Sequence, residues 1–293
     1  MRLRLGGESI ELERGCPLLM GIVNATPDSF SDRPGQRSLA ELTDHALALV
    51  EAGAAIVDAG GESGRSDRPA VSEAEEIARV VPLVERLARR GVRVSVDTWR
   101  AGPARAALAA GATMVNDVSG LADPVLAELC AESGAGLVVT HTRLAPKTKG
   151  FPAYDDVVAD VIELLGERAR RARELGVGEE QLVLDPGLDL AKTPAQSIEL
   201  LRRAGELAAL GRPLLLAVSR KDFVGALTGS APGARDPGTL GALEPALELP
   251  AAIVRVHDVA GASDFLRVRR ALRGEEDPPE GPLDPSLRRS AAA

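Results

Sequence analysis

Residues 91–120 read GVRVSVDTWRAGPARAALAAGATMVNDVSG, and this stretch contains the pattern that decides the fold. A short apolar run at 92–96 ends at Asp97, a longer amphipathic segment follows, and a second apolar run at 113–115 ends at Asn116 and Asp117. Both runs are short and unalternated, as expected of parallel strands that are covered on both faces. The stretch therefore predicts a strand, a helix and a second parallel strand.

The same alternation continues in both directions along the chain. Apolar runs of this kind lie at 18–23, 55–59, 92–96, 113–115, 137–140, 182–184, 214–218 and 252–256. An open doubly wound sheet more often has about five to seven strands, whereas eight strand–helix units in about 260 residues fit a closed barrel. We predict an α/β protein with a (β/α)8 TIM-barrel fold.

The two ends of the chain differ from this repeat. Residues 2–12, around Gly6 and Gly7, predict an N-terminal β-hairpin. Residues 274–293 are rich in proline and charge, so we predict one barrel domain at 1–273 and a flexible tail at 274–293. Before the last strand, Pro245 and Pro250 predict a helix that is either kinked or begins late, near Pro245.

Composition limits the classes of function. The 293 residues are 45% hydrophobic with a formal net charge of −8, and six aromatic residues are present. The acidic balance and the few aromatic side chains argue against nucleic-acid binding. No run approaches the ~18 apolar residues of a membrane span, the start lacks the apolar core of a secretory signal, and two cysteines are too few for a disulfide framework. We expect a cytoplasmic protein with small-molecule partners.

Each predicted strand is followed by polar side chains. They are Asn24, Asp58, Asp97, Asn116 with Asp117, His141, Asp185, Ser219 with Arg220 and Lys221, and Arg255 with His257. Any one of them alone is also compatible with a helix cap, a turn or a structural histidine. Because chemistry in such barrels gathers at the carboxyl ends of the strands, eight polar strand ends together favour a ligand site.

These side chains divide by chemistry into two groups. Asp97, Asn116, Asp185 and Lys221 suit a flat heterocycle, since a carboxylate accepts two parallel N–H donors while lysine and asparagine contact ring oxygen or nitrogen. The side chains that suit oxyanions are Asn24, Arg65, Arg255 and His257. Asn24 also opens the loop ATPDSFSDRPGQRS, predicted as a mobile lid, and its amide oxygen could hold Mg²⁺.

Seven motifs in order resemble one known family. They are GIVNATPDSFSD, GGES, SVDTWRA, VNDVSG, LDPG, SRKDFVG and VRVHDV. This set is similar to the dihydropteroate synthases, pterin-binding (β/α)8 enzymes of the folate pathway. The resemblance implies condensation of 6-hydroxymethyl-7,8-dihydropterin diphosphate with 4-aminobenzoate to give 7,8-dihydropteroate and pyrophosphate, with Mg²⁺ and a homodimer formed through the outer helices.

The resemblance also implies a role for each matching residue. Asp97, Asn116, Asp185 and Lys221 match pterin-contacting positions. The diphosphate and Mg²⁺ end is matched by Asn24, Arg255 and His257, and the surroundings of the aminobenzoate pocket by Arg65 and Ser219. The expected catalytic residues are Lys221, Arg255, His257 and Asp97.

The chain departs from the family pattern around the second substrate. Gly64 and Ser66 flank Arg65 where the family has threonine and proline, and the loop after Asp185 carries Asp189 and Leu190 in place of glycine and an aromatic residue. The strand-five signature is Thr-His-Thr at 140–142 rather than Met-His-Met. Two interpretations follow: a working synthase with a reshaped amine pocket, or a divergent pterin-binding paralogue without synthase activity. A pterin-dependent methyltransferase and a non-catalytic folate-binding protein are further alternatives, and neither needs the arginine, histidine and lysine of a diphosphate site.

Overall fold

A computed structural model describes residues 1–26, 38–62, 68–278, 280–282 and 287. Within them, two antiparallel strands form a hairpin and eight parallel strands follow. The strands are β1 (Arg2–Leu5), β2 (Glu8–Glu11), β3 (Leu18–Asn24), β4 (Ile56–Gly60), β5 (Val94–Asp97), β6 (Met114–Asp117), β7 (Gly136–Thr140), β8 (Leu182–Asp185), β9 (Leu214–Leu216) and β10 (Ala252–Val256).

The eight parallel strands close into a barrel in the order β10-β3-β4-β5-β6-β7-β8-β9. Each predicted apolar run overlaps one of these strands, so the predicted (β/α)8 barrel and its N-terminal hairpin are confirmed. Strand β9 ends at Leu216, two residues before the end of its predicted run at 218. There the chain leaves the barrel wall early and turns at Arg220, whose φ is +56°.

Helices cover the outside of the barrel. They are α1 (Leu39–Glu51), α2 (Glu73–Ala88), α3 (Ala101–Ala109), α4 (Val125–Ser133), α5 (Val157–Glu174), α6 (Pro194–Arg202), α7 (Ala204–Leu207), α8 (Asp222–Thr228), α9 (Asp236–Gly241), α10 (Glu244–Glu248) and α11 (Val259–Leu272). Among the described residues, none of these helices has the length and apolar character needed to cross a bilayer.

Helix starts agree with the sequence only in part. Ser72 and Glu75 have the spacing of a capping box, and Ser72 caps α2 by accepting a hydrogen bond from the Glu75 N–H at 3.2 Å. The Glu75 carboxylate pairs with Arg79 instead of completing the box. Helix α10 begins at Glu244 with Pro245 in its first turn, which confirms the late start and not the kink.

The chain after α11 begins as expected from its composition, with charged residues on the surface. Glu276 lies within 3.5 Å of both Arg267 and Arg270, so the first residues after Gly274 rest on α11. The predicted flexibility of 274–293 falls largely on residues outside the described part of the chain and stays a prediction, as does the domain boundary at 273.

Side chains alternate between the two faces of the barrel wall. The outward set, such as Val57 and Val96, packs under the helices. The inward set divides along the barrel axis: Met20, Ile56 and other apolar residues fill the N-terminal half, where Leu3, Leu5 and Leu12 of the hairpin segment close the end. The inward residues of the C-terminal half are polar, and this division places the candidate site.

Candidate active site

Five inward side chains at the C-terminal ends of the strands form the floor of the site. They are Asp58 on β4, Asp97 on β5, Asn116 on β6, Asp185 on β8 and Arg255 on β10. Each follows an inward apolar or small residue by two positions, as Asp58 follows Ile56, so the two-residue period of a strand turns it into the barrel. The structure therefore brings together four of the residues that the sequence assigned to a ligand, with Asp58, a strand-end residue that the sequence analysis placed in neither chemical group.

Arg255 joins two of the acids. Its Nε donates to Asp58 Oδ2 at 2.6 Å, and its Nη2 donates to Asp97 Oδ2 at 2.8 Å. Asn116 Nδ2 donates to the same Asp58 oxygen at 3.1 Å. The sequence analysis grouped Arg255 with the oxyanion residues and Asp97 with the heterocycle residues. In the structure these two groups meet at the Arg255 guanidinium.

Burial sets the charge behaviour of these acids. Burial, followed by the neighbouring Asp58 carboxylate, raises the pKa of Asp97 to about 7 against the lowering effect of Arg255. Burial also raises the pKa of Asp185, although its Oδ1 accepts a 2.7 Å hydrogen bond from the Gly187 N–H. A ligand that brings its own hydrogen-bond donors would stabilise the ionised form of these two carboxyls.

Several buried polar atoms on this inner face have no hydrogen-bond partner among the described residues. They are Asp58 Oδ1, Asn116 Oδ1, Ser95 Oγ and Thr140 Oγ1, and Thr140 stands opposite Asp185 in strand register. Each such group costs about 1–3 kcal/mol when it stays unpaired. Because carboxylate and amide oxygens are acceptors, this floor fits a planar ligand that has several N–H donors.

Lys221 follows β9, whose neighbour β10 carries Arg255, and is the N-cap residue of α8. Its Nζ donates to the Leu188 carbonyl at 2.9 Å. The preceding residue, Arg220, has a left-handed backbone, its N–H donates to Thr239 Oγ1 at 3.0 Å, and its guanidinium makes a two-point ion pair with Asp236. The turn that presents Lys221 is therefore held on both sides.

Ser219 and His257 form a second polar pair beside the lysine. The His257 N–H donates to Ser219 Oγ at 3.1 Å, and Ser219 Oγ lies 2.8 Å from His257 Nδ1. Burial and then the positive charge of Arg255 lower the pKa of His257 to about 3, so the ring is neutral at pH 7. In the tautomer in which the hydroxyl donates to Nδ1, the ring keeps Nε2–H as a donor for a ligand.

Asn24 ends β3 next to Gly60 of β4, with which it is in register. A Cβ atom at Gly60 would lie 3.8 Å from both Asn24 Oδ1 and Asp97 Oδ2, so this glycine keeps open the space between two oxygen donors. Oxygen donors are the ligands that Mg²⁺ prefers, and an ion that keeps most of its waters needs few of them from the protein. The residues present therefore fit the predicted ion.

Two strand-end residues from the sequence analysis point away from the floor. His141 follows the outward Val139, and its Nε2 lies 2.7 Å from Asp160 Oδ1 on α5. Burial and then the charge of Lys192 lower its pKa to about 4. Asp117 accepts from the Ser119 and Leu121 N–H groups and shapes its own loop. His141 is therefore a structural histidine, and Asp117 fixes a turn.

Sequence reasoning missed two further cations, one buried and one half-buried. Lys192 is 1% exposed, and its Nζ donates to the carbonyls of His141, Gly187 and Leu190 at 3.0–3.3 Å. The Nζ of Lys147 lies 3.3 Å from Oε1 of the buried Glu62. The scarcity of lysine, four among 35 cations, was the available signal.

Arg65 and the predicted lid between Pro27 and Arg37 lie outside the described residues, as do Gly64 and Ser66. Their predicted roles therefore stay predictions.

Comparison with known proteins gives a consistent result. The family model described as "Pterin binding enzyme" matches residues 20–257. The dihydropteroate synthase of Escherichia coli (strain K12) is 39% identical over 273 residues, covering 92% of this chain and 96% of the relative. That of Mycobacterium leprae (strain TN) is 43% identical over 259 residues, covering 85% and 91%.

Solved structures agree with the sequence comparison. A Xanthomonas albilineans dihydropteroate synthase with 4-aminobenzoic acid has a TM-score of 0.85 at 39% identity, covering 93% of this chain and 99% of that one. A structure of the same Xanthomonas enzyme in complex with 7,8-dihydropteroate has a TM-score of 0.83, also at 39% identity, with the same coverage. The Yersinia pestis dihydropteroate synthase with a sulfonamide drug complex has a TM-score of 0.87 at 37% identity, covering 94% and 100%.

Proposed function

The chain belongs to the family of pterin-binding enzymes, and we propose that it acts as a dihydropteroate synthase of folate biosynthesis. In this reaction 6-hydroxymethyl-7,8-dihydropterin diphosphate condenses with 4-aminobenzoate, giving 7,8-dihydropteroate and pyrophosphate. The observation that carries the proposal is the floor of buried acceptors, where Asp58 Oδ1 and Asn116 Oδ1 face the barrel interior without a described partner. A pterin has the N–H donors that such a floor lacks.

The pterin ring binds across the floor. Asp97 and Asp185 accept its N–H groups, Asn116 contacts a ring nitrogen or oxygen, and Lys221 donates to a ring acceptor. Two buried carboxyls whose pKa is raised become better acceptors once donors arrive, because hydrogen bonds to the charged form stabilise it. The electron-rich ring then tolerates positive charge on its exocyclic carbon.

The diphosphate occupies the side of the floor where donors collect. Arg255 and the Nε2–H of His257 are positioned to hold oxyanions, and Lys221 and Arg220 add positive charge around the imidazole. The bond between the exocyclic carbon and the diphosphate oxygen breaks with its electron pair on oxygen. The amine nitrogen then forms the new bond to carbon and releases one proton.

Mg²⁺ is the proposed cofactor, and the amide oxygen of Asn24 would hold it. When bound, the ion supplies Lewis-acid stabilisation of the negative charge that grows on pyrophosphate. Asn24 orients this end of the substrate, and Gly60 leaves room for it.

The aminobenzoate enters beside Ser219 and the loop after Asp185, with Arg65 as the proposed partner of its carboxylate. In that loop the aromatic residue of the family pattern is Leu190. We propose a reshaped amine pocket that still accepts 4-aminobenzoate and has altered sensitivity to sulfonamides that mimic it.

We further propose that the protein is a cytoplasmic homodimer, as the sequence resemblance implied. Leu227 on α8 is a large apolar side chain that is 69% exposed on the outside of the barrel, which supports a contact through outer helices. Analytical ultracentrifugation of the purified chain tests the dimer.

The function is tested by measuring pyrophosphate release from the dihydropterin diphosphate by the purified protein with Mg²⁺. The assay is run with and without 4-aminobenzoate, and the pterin product is identified by mass. We expect release that depends on 4-aminobenzoate and yields dihydropteroate.

Other outcomes contradict the proposal in distinct ways. Release without dihydropteroate indicates another nucleophile. Tight pterin binding that depends on Mg²⁺, without any release, indicates a paralogue that lacks the synthase activity.

A further inference from the structure

The loop from Pro186 to Lys192 has a backbone that its residues do not favour. Asp189 and Ala191 have φ values of +61° and +53°, in the left-handed region where glycine is usual. A left-handed residue with a Cβ costs about 1–2 kcal/mol. On its inner side, the loop is held by the Lys192 ammonium, which donates to the carbonyls of Gly187 and Leu190 in the loop and to that of His141 after β7. The outer side is held by Asp189.

The peptide group between Leu188 and Asp189 is fixed at both of its polar atoms. The Asp189 N–H donates to Ser197 Oγ at 3.0 Å, and the Leu188 carbonyl accepts from Lys221 Nζ at 2.9 Å. Because a peptide group is planar and trans, its N–H and C=O point in opposite directions. The hydrogen bond to Ser197, which is fully buried on α6, therefore aims the carbonyl at the Lys221 ammonium.

The Asp189 carboxylate acts on the backbone of the same lysine. Its Oδ1 accepts from Ser197 Oγ at 3.0 Å, and its Oδ2 accepts from the Asp222 N–H at 2.5 Å. Asp222 is the first residue of α8 and Lys221 is its N-cap, yet a lysine side chain has no acceptor with which to cap a helix. Asp189 supplies from another loop the cap that Lys221 cannot supply.

We propose that Asp189 is a positioning residue for Lys221. One residue fixes the carbonyl that receives the ammonium and caps the helix on which the lysine stands. The side chain of Lys221 is thereby held toward the floor of the site. The inference rests on the proposed function, which gives Lys221 its role in pterin binding. It also gives a structural role to Asp189, which stands where the family pattern has glycine.

The test compares six variants with the parent: Asp189→Gly, Asp189→Asn, Ala191→Gly, Lys221→Ala and the double variants Asp189→Gly/Lys221→Ala and Asp189→Asn/Lys221→Ala. Glycine accepts the left-handed backbone but removes the carboxylate, whereas asparagine accepts it and keeps one acceptor. Ala191→Gly is the matched control, since it relaxes the neighbouring left-handed residue without removing a hydrogen bond. The readouts are kcat and both KM values for dihydropteroate formation, the affinity for 6-hydroxymethylpterin, and the melting temperature.

We expect Asp189→Gly to lower kcat/KM for the pterin diphosphate by about tenfold, the range of a lost helix cap, with the KM for 4-aminobenzoate unchanged. Asp189→Asn should recover most of the loss, and Ala191→Gly should match the parent. In the Lys221→Ala background, Asp189→Gly should have no further effect on pterin affinity, because it acts through the lysine.

The same loss of pterin affinity with and without Lys221, or no loss in the parent background, overturns the inference. If Asp189→Gly lowers the melting temperature, the comparison of Asp189→Asn in the two backgrounds decides the role of the carboxylate. A parent that binds the pterin but makes no dihydropteroate disproves the proposed function alone, and the pterin affinities still decide the role of Asp189.

Discussion

The two ends of the barrel are built from the same strands but follow opposite rules. At the N-terminal end the inward residues are apolar and the hairpin closes the opening with Leu3 and Leu5, each at most 1% exposed. At the C-terminal end the inward residues include acids, an amide and an arginine, and some of their buried atoms have no hydrogen-bond partner among the described residues. Two positions along a strand separate these environments, as Ile56 and Asp58 show. One end is built for stability, and the other keeps binding capacity at a cost in stability.

Backbone strain follows the same division. All non-glycine residues with positive φ in the described part of the chain lie in loops at the C-terminal end of the barrel: Leu121, Lys147, Asp189, Ala191 and Arg220. Such conformations persist where the surrounding contacts determine them, and they gather at functional sites.

The comparison is tested most strongly at Lys221. Lys221→Ala removes a cation from the site while leaving the barrel interior intact, so we expect kcat to fall about 10²- to 10³-fold with the melting temperature nearly unchanged. Steady-state kinetics and thermal melts measure both quantities. The exposed Lys149 offers the control Lys149→Ala, which should change neither. A large fall in melting temperature for Lys221→Ala would show that the C-terminal end also contributes strongly to stability, against the division between the two ends.

The opposite result is expected at the hairpin. Leu5→Ala leaves a cavity in the closed end, so the free energy of unfolding should fall by about 3 kcal/mol while kcat stays close to that of the parent at 25 °C. Urea denaturation and the same kinetic assay check this. Leu287→Ala, at a leucine that is 70% exposed in the tail, should leave stability unchanged. Loss of activity in folded Leu5→Ala would contradict the division.

Lys192 sharpens the comparison because it stabilises the functional end. Lys192→Met removes the hydrogen-bond donor to the three carbonyls, of which the neutral amine serves two at a time at pH 9, and we expect a loss of about 2 kcal/mol in unfolding free energy at that pH. Burial lowers the pKa of Lys192 to about 7, below its value in the unfolded chain. The folded parent therefore binds fewer protons than the unfolded chain between about pH 7 and 10.5, and its stability rises with pH in that range and is lost as the pH falls through 7. The difference between parent and variant should be larger at pH 9 than at pH 6, and Lys149→Met should show none.

The smallest effect is a pH dependence of pterin binding. Burial raises the pKa of Asp97 to about 7, and the ring needs the ionised carboxylate as acceptor. The ionised fraction rises about tenfold from pH 6 to pH 8, so affinity for 6-hydroxymethylpterin should rise by a similar factor. Fluorescence titration measures it. Asp97→Asn should bind weakly at every pH without this slope, and retention of the slope in that variant would assign the titration to another group.

The barrel and most of the floor could be predicted from the sequence because both depend on regular spacing: the repeat of apolar runs along the chain and the two-residue alternation within each strand. Short apolar runs between amphipathic segments define the strands, and the two-residue alternation turns Asp97, Asn116, Asp185 and Arg255 inward. The same rule, applied strictly, would have excluded His141 and Asp117. Each follows an outward residue, Val139 or Val115, by two positions.

Contacts between distant loops could not be predicted in this way. The bonds from Asp189 to Ser197 and Asp222, and from Arg255 to both Asp58 and Asp97, join residues whose separation in sequence carries no periodic signal. They depend on loop conformations and on the closure of the barrel. Lys192 belongs to the same class, since its partners are backbone carbonyls.

The hairpin at the closed end also sets an order on folding during synthesis. Arg4 donates to Gln181 Oε1 at 2.5 Å across 177 positions, and Arg212 donates to the Arg2 carbonyl at 3.3 Å across 210 positions. At about 5–20 residues per second, the ribosome needs about 10 to 35 seconds to make the chain between Arg4 and Gln181. The hairpin is therefore synthesised well before the segments on which it docks, and its apolar face stays exposed for that time.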